Sequence, residues 1–285
     1  MSHKLKISCE FFPPKTDKGF ANLTAVRQQL RAINPSYYSV TFGAGGTTQD
    51  YTLEAIKNIR AESPQTGIEA APHISCVGTT KQNIHDLIST YQALGITRLV
   101  ALRGDQPSGM QTAGHFRYAN ELVEFIRQTT GDHFTIEVAA YPEQHPQANS
   151  AQVDLDNFKR KVDAGANSAI TQYFYNIDAY SYFLERCQQN NITIPITPGI
   201  MPINNFIQLA RFSDGCGAEI PRWLRKRLEE FHDDTKSLQA FTLDFLTDFT
   251  QKLVDLDVLG LHFYTMNKTD PILTVCQRLG LSVKK

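Results

Sequence analysis

Leu99-Val100-Ala101-Leu102-Arg103-Gly104-Asp105 is a short apolar run that ends on a cation, a glycine and an anion. Its length and its Gly-containing end suit a buried strand. The same layout recurs along the chain. Ile7-Ser8-Cys9 leads into Glu10, Tyr38-Ser39-Val40 into Thr41 and a Gly-rich turn, Ala70-Ala71-Pro72 into His73, and Ser168-Ala169-Ile170-Thr171 into Gln172. Helix-like segments separate these runs. A parallel barrel gathers the C-terminal ends of its strands on one face, where active sites are built. Reactive residues at five such ends therefore point to a single pocket.

Working outward, strand-like runs lie near 5–12, 37–43, 67–76, 98–104, 134–142, 168–175, 194–200 and 259–266, with amphipathic runs such as Asn83 to Leu94 and Tyr118 to Thr129 between them. Pro35, Pro64 and Gly131 punctuate the returns from helix to strand. Strict alternation of this kind predicts a single (β/α)8 TIM barrel spanning 1–285, and an open doubly wound sheet is its rival. Residues 214–258 carry two helical patterns, around Pro221 to Glu230 and from Ser237 to Asp255. An extra helix is therefore expected before the last strand.

The chain has 285 residues, 41% of them apolar, and a formal net charge of -1. A near-neutral balance offers no electrostatic case for nucleic acid or an acidic membrane. No signal peptide or spanning apolar stretch is read. The five cysteines are scattered and form no Cys-x-x-Cys pair. No metal site is expected, and a reduced cytoplasmic protein is.

Each motif has a bland reading beside a chemical one. Glu10 precedes Phe11-Phe12-Pro13-Pro14, which would shield its carboxyl and raise its pKa toward that of a general acid. A strand-end ion pair is the alternative. Thr41-Phe42-Gly43-Ala44-Gly45-Gly46 fits neither a Walker loop nor a dinucleotide fingerprint, so it is a ligand-approach turn or simply a tight turn. Arg103-Gly104-Asp105 suits a planar ring with donors and acceptors, or a rim salt bridge. Asp154, Asn157, Arg160 and Lys161 share a helix stripe that can hold a ribose and a diphosphate, or can simply face solvent. Phe206 and Phe212 read as core.

Glu10-Phe11-Phe12-Pro13-Pro14, Ala71-Pro72-His73, Ala101-Leu102-Arg103-Gly104-Asp105, Ala140-Tyr141-Pro142-Glu143, Lys159 to Ala166, Ile170-Thr171-Gln172, Pro198-Gly199-Ile200 and His262-Phe263-Tyr264-Thr265 occur in this order. In order and spacing they resemble the bacterial 5,10-methylenetetrahydrofolate reductases over nearly the whole chain, without the regulatory domain of the eukaryotic members. The resemblance implies FAD-dependent reduction of 5,10-methylenetetrahydrofolate to 5-methyltetrahydrofolate by NAD(P)H, with NADH favoured. It implies ping-pong hydride transfer in a homo-oligomer, feeding methionine synthesis.

The resemblance also implies residue roles. FAD would meet His73, Leu102, Arg103, Gly104, Asp105, Tyr118, Ala119, Tyr141, His145, Asp154, Asn157, Arg160 and Lys161. Thr41, Phe42, Ala44, Gln172 and Phe212 would meet the nicotinamide. Glu10, Asp105, Gln172, Gln208 and Lys268 would meet the folate, with Glu10 and Asp105 catalytic. Lys268 stands where the family usually has Arg, keeping the charge but losing the bidentate fork. Two other classes use the same fold. A non-redox folate-binding barrel would have no use for the Asp154–Lys161 stripe, and a catalytically silent one would not need Glu10.

Overall fold

The computed structural model describes residues 5–43, 48–104, 114–231 and 234–281. The strands are β1 (Lys6–Phe11), β2 (Tyr37–Val40), β3 (Glu69–Ser75), β4 (Arg98–Leu102), β5 (Thr135–Ala140), β6 (Ser168–Thr171), β7 (Ile196–Thr197), β8 (Gly199–Ile200) and β9 (Gly260–Tyr264). The helices are α1 (Asp17–Leu30), α2 (Gln49–Thr66), α3 (Lys81–Ala93), α4 (Ala119–Thr130), α5 (Ala151–Asp163), α6 (Ile177–Gln189), α7 (Phe206–Cys216), α8 (Arg222–Glu230), α9 (Thr235–Asp255) and α10 (Ile272–Arg278). Polar side chains begin several of the helices. Thr80, Ser150 and Asn205 each accept from a backbone N–H three residues on, which satisfies one of the donors a helix start leaves open.

Every strand pairing is parallel, in the order β7-β6-β5-β4-β3-β2-β1-β9-β8. The two ends of that order, β7 and β8, are consecutive in the chain and separated only by Pro198. Proline has no N–H to give a ladder. The seventh run therefore splits: its first half bonds to β6 and its second to β9. The Pro198 carbonyl still accepts from His262 N at 3.0 Å. The ring closes, so the expected barrel is borne out and the open sheet is excluded. The two helical patterns of 214–258 are α8 and α9. Ahead of them stands α7, a helix the sequence pattern does not single out. Pro64 lies within the last turn of α2 rather than beyond it.

Side chains alternate across each strand. Outward residues such as Cys9, Phe11, Tyr38, Val40, Ile74, Leu99, Ala101, Ile136, Val138 and Phe263 form the main core with the helices. The inward set is different. Tyr37, Ala71, Val100 and Ile170 make a small apolar cluster, and Ser8, Ser39, His73, Glu137 and His262 are buried beside it. Barrel interiors are usually layers of branched apolar side chains; this one is substantially polar. A third cluster, including Tyr173, Tyr175, Met201, Leu209, Leu224 and Leu228, seats α7 and α8 over one side of the barrel mouth.

Closure is tight at Gly199. Its N–H donates to Thr171 Oγ1 at 2.9 Å. A Cβ there would lie 2.3 Å from the Thr171 carbonyl oxygen and 2.6 Å from Tyr264 Cε2. Gly199→Ala should therefore destabilise the protein by about 1–3 kcal/mol, the usual cost of overpacking. Urea unfolding measures this, and an unchanged midpoint would show that the junction has slack.

Candidate active site

The C-terminal ends of the strands bring Glu10, Thr41, His73, Arg103, Tyr141, Gln172 and Tyr264 to one face, as their positions in the runs require. Glu10 stands at its centre. Its side chain is 13% exposed, with Oε2 at 3.3 Å from His73 Nε2 and 3.5 Å from His262 Nε2. The β1–β9 register sets the backbone of Glu10 beside Tyr264. The Glu10 carbonyl accepts from Thr265 Oγ1 at 2.7 Å, and the Asn267 amide bonds both Phe12 N and Phe12 O at 2.9 Å. These contacts tie the end of β1 to the end of β9.

The aromatic shield expected for Glu10 is not what surrounds it. Strand alternation turns Phe11 outward, where it packs edge-on against Tyr38, and Phe12 is 44% exposed. Histidines enclose the carboxyl instead. Burial alone would raise its pKa, but the neighbouring His73 and His262 outweigh burial and hold it below the ordinary carboxylate value. This corrects the raised value expected from desolvation. Burial pushes His73 below its ordinary value, against the pull of Glu10.

The described residues expected to meet a flavin lie on β3 and β4, in the segments that follow β4 and β5, and on α5. Ser75 Oγ donates to the Arg103 carbonyl at 2.9 Å. Gly104 has φ +83, and a Cβ there would lie 1.9 Å from Ser75 Oγ. Only glycine fits this turn. Leu102 is half-buried, Tyr118 is exposed as the N-cap of α4, and Ala119 begins that helix. Tyr141 packs edge-on against His145 at 4.6 Å, and Asp154 accepts from His145 N at 2.8 Å. Asn157 and Arg160 are exposed on the same side of α5, joined by a 2.6 Å hydrogen bond.

Lys161 departs from the simple solvated stripe. Its stem runs back toward the start of its helix, as helical side chains do. Its ammonium donates to the Ala139 carbonyl and passes over the Phe158 ring. Burial pushes its pKa down to about 8, with Asp154 opposing. A partly buried ammonium next in the chain to an exposed guanidinium fits the anionic diphosphate of a dinucleotide such as FAD. His73 is the exception in the set, because it faces Glu10 inside the barrel.

Gln208, Phe212 and Lys268 line a solvent-open cleft of about 480 Å³ together with Met201, Asn205 and Met266. Phe212 is 40% exposed there, not core, and Phe206 is half-buried against the third cluster. Thr41 and buried Phe42 lie at the end of β2. Gln172 opens on a neighbouring crevice with Tyr141 and Tyr173. Ala44 and Asp105 lie outside the described residues. The sequence reading gave no role to His262, Ser8, Tyr37, Glu137 or Arg98. The available signal was polar residues at every second position of otherwise apolar runs.

Comparison with known proteins bears on this site. The family model described as Methylenetetrahydrofolate reductase matches residues 1–280. The chain is similar to the 5,10-methylenetetrahydrofolate reductase of Escherichia coli (strain K12), with 38% identity over 278 residues, covering 98% of this chain and 92% of that one. It is 37% identical to a probable methylenetetrahydrofolate reductase (NADH) of Oryza sativa subsp. japonica, covering 96% of this chain and 48% of that longer one. Among solved structures, an uncharacterized protein from Clostridium thermocellum that binds two copies of 5-methyl-5,6,7,8-tetrahydrofolic acid superposes with a TM-score of 0.64. At 15% identity, covering 96% of this chain and 94% of that one, it shares the fold.

The two depressed groups at the centre carry a stability signature. His73 and Glu10 both hold protons less well folded than unfolded. The unfolded chain therefore takes up protons first, and stability present above pH about 6.5 is lost as pH falls through the folded values. His73→Gln removes one such group and a neighbour of the other. Its urea midpoint should fall less than the parent's between pH 7 and pH 5. An equal fall in both proteins would mean that the pair does not titrate as the geometry requires.

Proposed function

The chain belongs to the methylenetetrahydrofolate reductase family, and we propose that it reduces 5,10-methylenetetrahydrofolate to 5-methyltetrahydrofolate with electrons from NAD(P)H, NADH favoured, through bound FAD. The observation that carries this reading is Glu10 set in the barrel mouth between His73 and His262, flanked by the Gly104 turn on one side and the Gln208–Lys268 cleft on the other. The rice relative's printed name, which includes NADH, supports the choice of donor. The five free cysteines suit a reducing cytoplasm, and no described helix is long and apolar enough to cross a membrane. The product is a methyl carrier of the kind methionine synthesis consumes.

FAD, when bound, supplies the hydride chemistry. The protein supplies position, charge and one proton. Arg160 and Lys161 bind the diphosphate by charge-assisted hydrogen bonds, and Asp154 and Asn157 take the ribose. The Arg103-Gly104 turn would let an isoalloxazine approach the backbone, and Asp105 is the acidic residue the family resemblance assigns to that ring. Thr41, Phe42, Ala44, Gln172 and Phe212 orient the nicotinamide. After it leaves, Gln172, Gln208 and Lys268 orient the folate in the same place, which makes the kinetics ping-pong. Glu10 gives a proton to N10 of the folate as the C–N10 bond breaks, leaving an iminium at N5 that accepts hydride.

Glu10→Gln keeps the shape but cannot donate this proton. Flavin reduction by NADH should stay near the parent rate, while reoxidation by methylenetetrahydrofolate should fall by about 10²–10⁴-fold or more. Stopped-flow absorbance separates the two. If both fall together, Glu10 is structural; if neither falls, the acid is elsewhere.

Lys161 gives a second test. Its ammonium is depressed to about 8 in the folded chain, against about 10.4 unfolded. Below the folded value the protonated group costs stability, and the cost disappears only as pH rises through the unfolded value. Lys161→Met should therefore stabilise the FAD-free protein at pH 7 by about 1–3 kcal/mol. The same change should weaken FAD binding by about 10- to 100-fold. Calorimetry of the apoprotein and FAD titration read the two effects. A variant that loses stability and keeps its FAD would place the ammonium away from the diphosphate.

A further inference from the structure

A continuous polar row runs down the barrel interior from Glu10. His262 Nε2 faces Glu10 Oε2 at 3.5 Å, and His262 Nδ1 lies 2.8 Å from Ser8 Oγ. Ser8 Oγ also approaches the Leu261 carbonyl at 3.5 Å, and its hydroxyl meets the Tyr37 phenol. Tyr37 donates to Glu137 Oε2 at 2.6 Å. Arg98 donates to Glu137 Oε1 at 2.6 Å and to Glu69 Oε2 at 2.8 Å, with its guanidinium 4.7 Å from the Tyr37 ring centroid. Ser8, Tyr37, Glu137 and His262 are each at most 7% exposed. Burying four polar side chains where branched apolar ones would pack is costly unless each is paired.

The direction of the row follows from its far end. Arg98 compensates the Glu137 carboxylate, which is an acceptor only, so the Tyr37 proton is committed to it. The Tyr37 oxygen and the Leu261 carbonyl are then acceptors for the Ser8 hydroxyl. That leaves a Ser8 lone pair facing His262, so Nδ1 carries a proton. A neutral ring of that tautomer would turn the Nε2 lone pair on the Glu10 carboxylate. Two lone pairs at that separation repel, so one proton belongs to the Glu10–His262 pair.

We propose that His262, oriented by the buried row Ser8–Tyr37–Glu137–Arg98, is the positioning residue that holds the proton Glu10 passes to the substrate. In the ligand-free protein the proton sits on His262 Nε2, which accords with a Glu10 carboxyl held below its ordinary value. During turnover the Nε2–H bond breaks as the Glu10 O–H bond forms, and the Glu10 O–H bond breaks as the N10–H bond forms. His262 is left neutral with Nδ1–H still on Ser8, and water at the mouth restores the proton. The other described groups facing Glu10 and His262 are His73 on β3, Tyr37 on β2 and Tyr264 on β9. Tyr264 donates its own proton to the Thr171 carbonyl at 2.7 Å, and His73 lacks a fixed partner on its far nitrogen among the described bonds. His262 alone is tied into the row.

This inference rests on Glu10 being the acid of the proposed reaction, so its test has one arm that needs no turnover. Imidazole ¹⁵N NMR of the ligand-free protein should show His262 protonated at both nitrogens at pH 7, and Ser8→Ala should abolish that state. In stopped-flow, flavin reduction by NADH serves as the control, and the pH profile of reoxidation by methylenetetrahydrofolate is the readout. Without Ser8 the His262 cation loses an acceptor, so the Glu10–His262 pair gives up its proton at lower pH. The alkaline limb should fall by about one unit, tenfold in proton concentration, with the loss of one hydrogen bond to a charged group. Tyr37→Phe, which keeps the ring packing, should shift the limb the same way, and Ser8→Thr should restore it. A neutral His262 with its proton on Nε2, or a parent-like profile in both Ser8→Ala and Tyr37→Phe, overturns the proposal. Failure of the parent protein to take up FAD or reduce the folate overturns the proposed function instead and leaves the NMR result to decide the row.

Discussion

The ring closes where the seventh strand breaks. Pro198 cannot donate to a ladder, so Ile196–Thr197 bonds to β6 and Gly199–Ile200 bonds to β9. The break sets Gly199 N on Thr171 Oγ1 and brings Tyr264 over to the Thr171 carbonyl. Two strand ends that are far apart in the chain are thereby locked side by side. With the ring closed, β9 lies against β1 in a register that puts His262 beside Ser8 and Tyr264 beside Glu10. Everything at the centre of the site follows from that register, because a slip of one residue would turn His262 to the helical layer.

A barrel with this interior gives up part of the usual hydrophobic filling. Ser8, Tyr37, Glu137 and His262 occupy positions where branched apolar side chains would contribute transfer free energy. They are tolerated because each has a partner, and because Arg98 compensates the one buried carboxylate at the far end. Removing one member would strand the rest in a low-dielectric core, which is more costly than never having buried them. The row leads to the carboxylate at the mouth. The helical layer supplies the compensating burial: Phe11, Tyr38, Phe134, Phe174 and Phe263 are all essentially inaccessible.

The two sides of the mouth are built differently. On the β3–β5 side the backbone does much of the work, through the Gly104 turn and the start of α5, and the cations sit on one helix. On the other side α7 and α8 are laid over the mouth on their own apolar cluster. That third cluster is why Phe212 can stand exposed in a cleft without destabilising its helix: its neighbours Leu209 and Ser213 are buried and carry the packing of α7.

How much of this was legible in the sequence follows from range. Strand positions came through because a buried strand needs a short apolar run and a barrel repeats it; all eight expected runs hold strands. The face that carries Glu10, Arg103, Tyr141 and Gln172 came through for the same reason, since a strand end is a local feature. The environment of Glu10 did not. Its neighbours in the chain, Phe11 and Phe12, turn away from it, and its neighbours in space come from residues 73 and 262. Sequence adjacency therefore implied an apolar shield and a raised pKa, whereas parallel pairing supplied two imidazoles and a lowered one. Lys161 was legible as a cation on a helix stripe, but only packing decided that its ammonium turns back to the Ala139 carbonyl of β5. Local pattern determined the elements and which residues end them. Register between strands, a relation between segments up to 254 residues apart, decided which of those residues meet at Glu10.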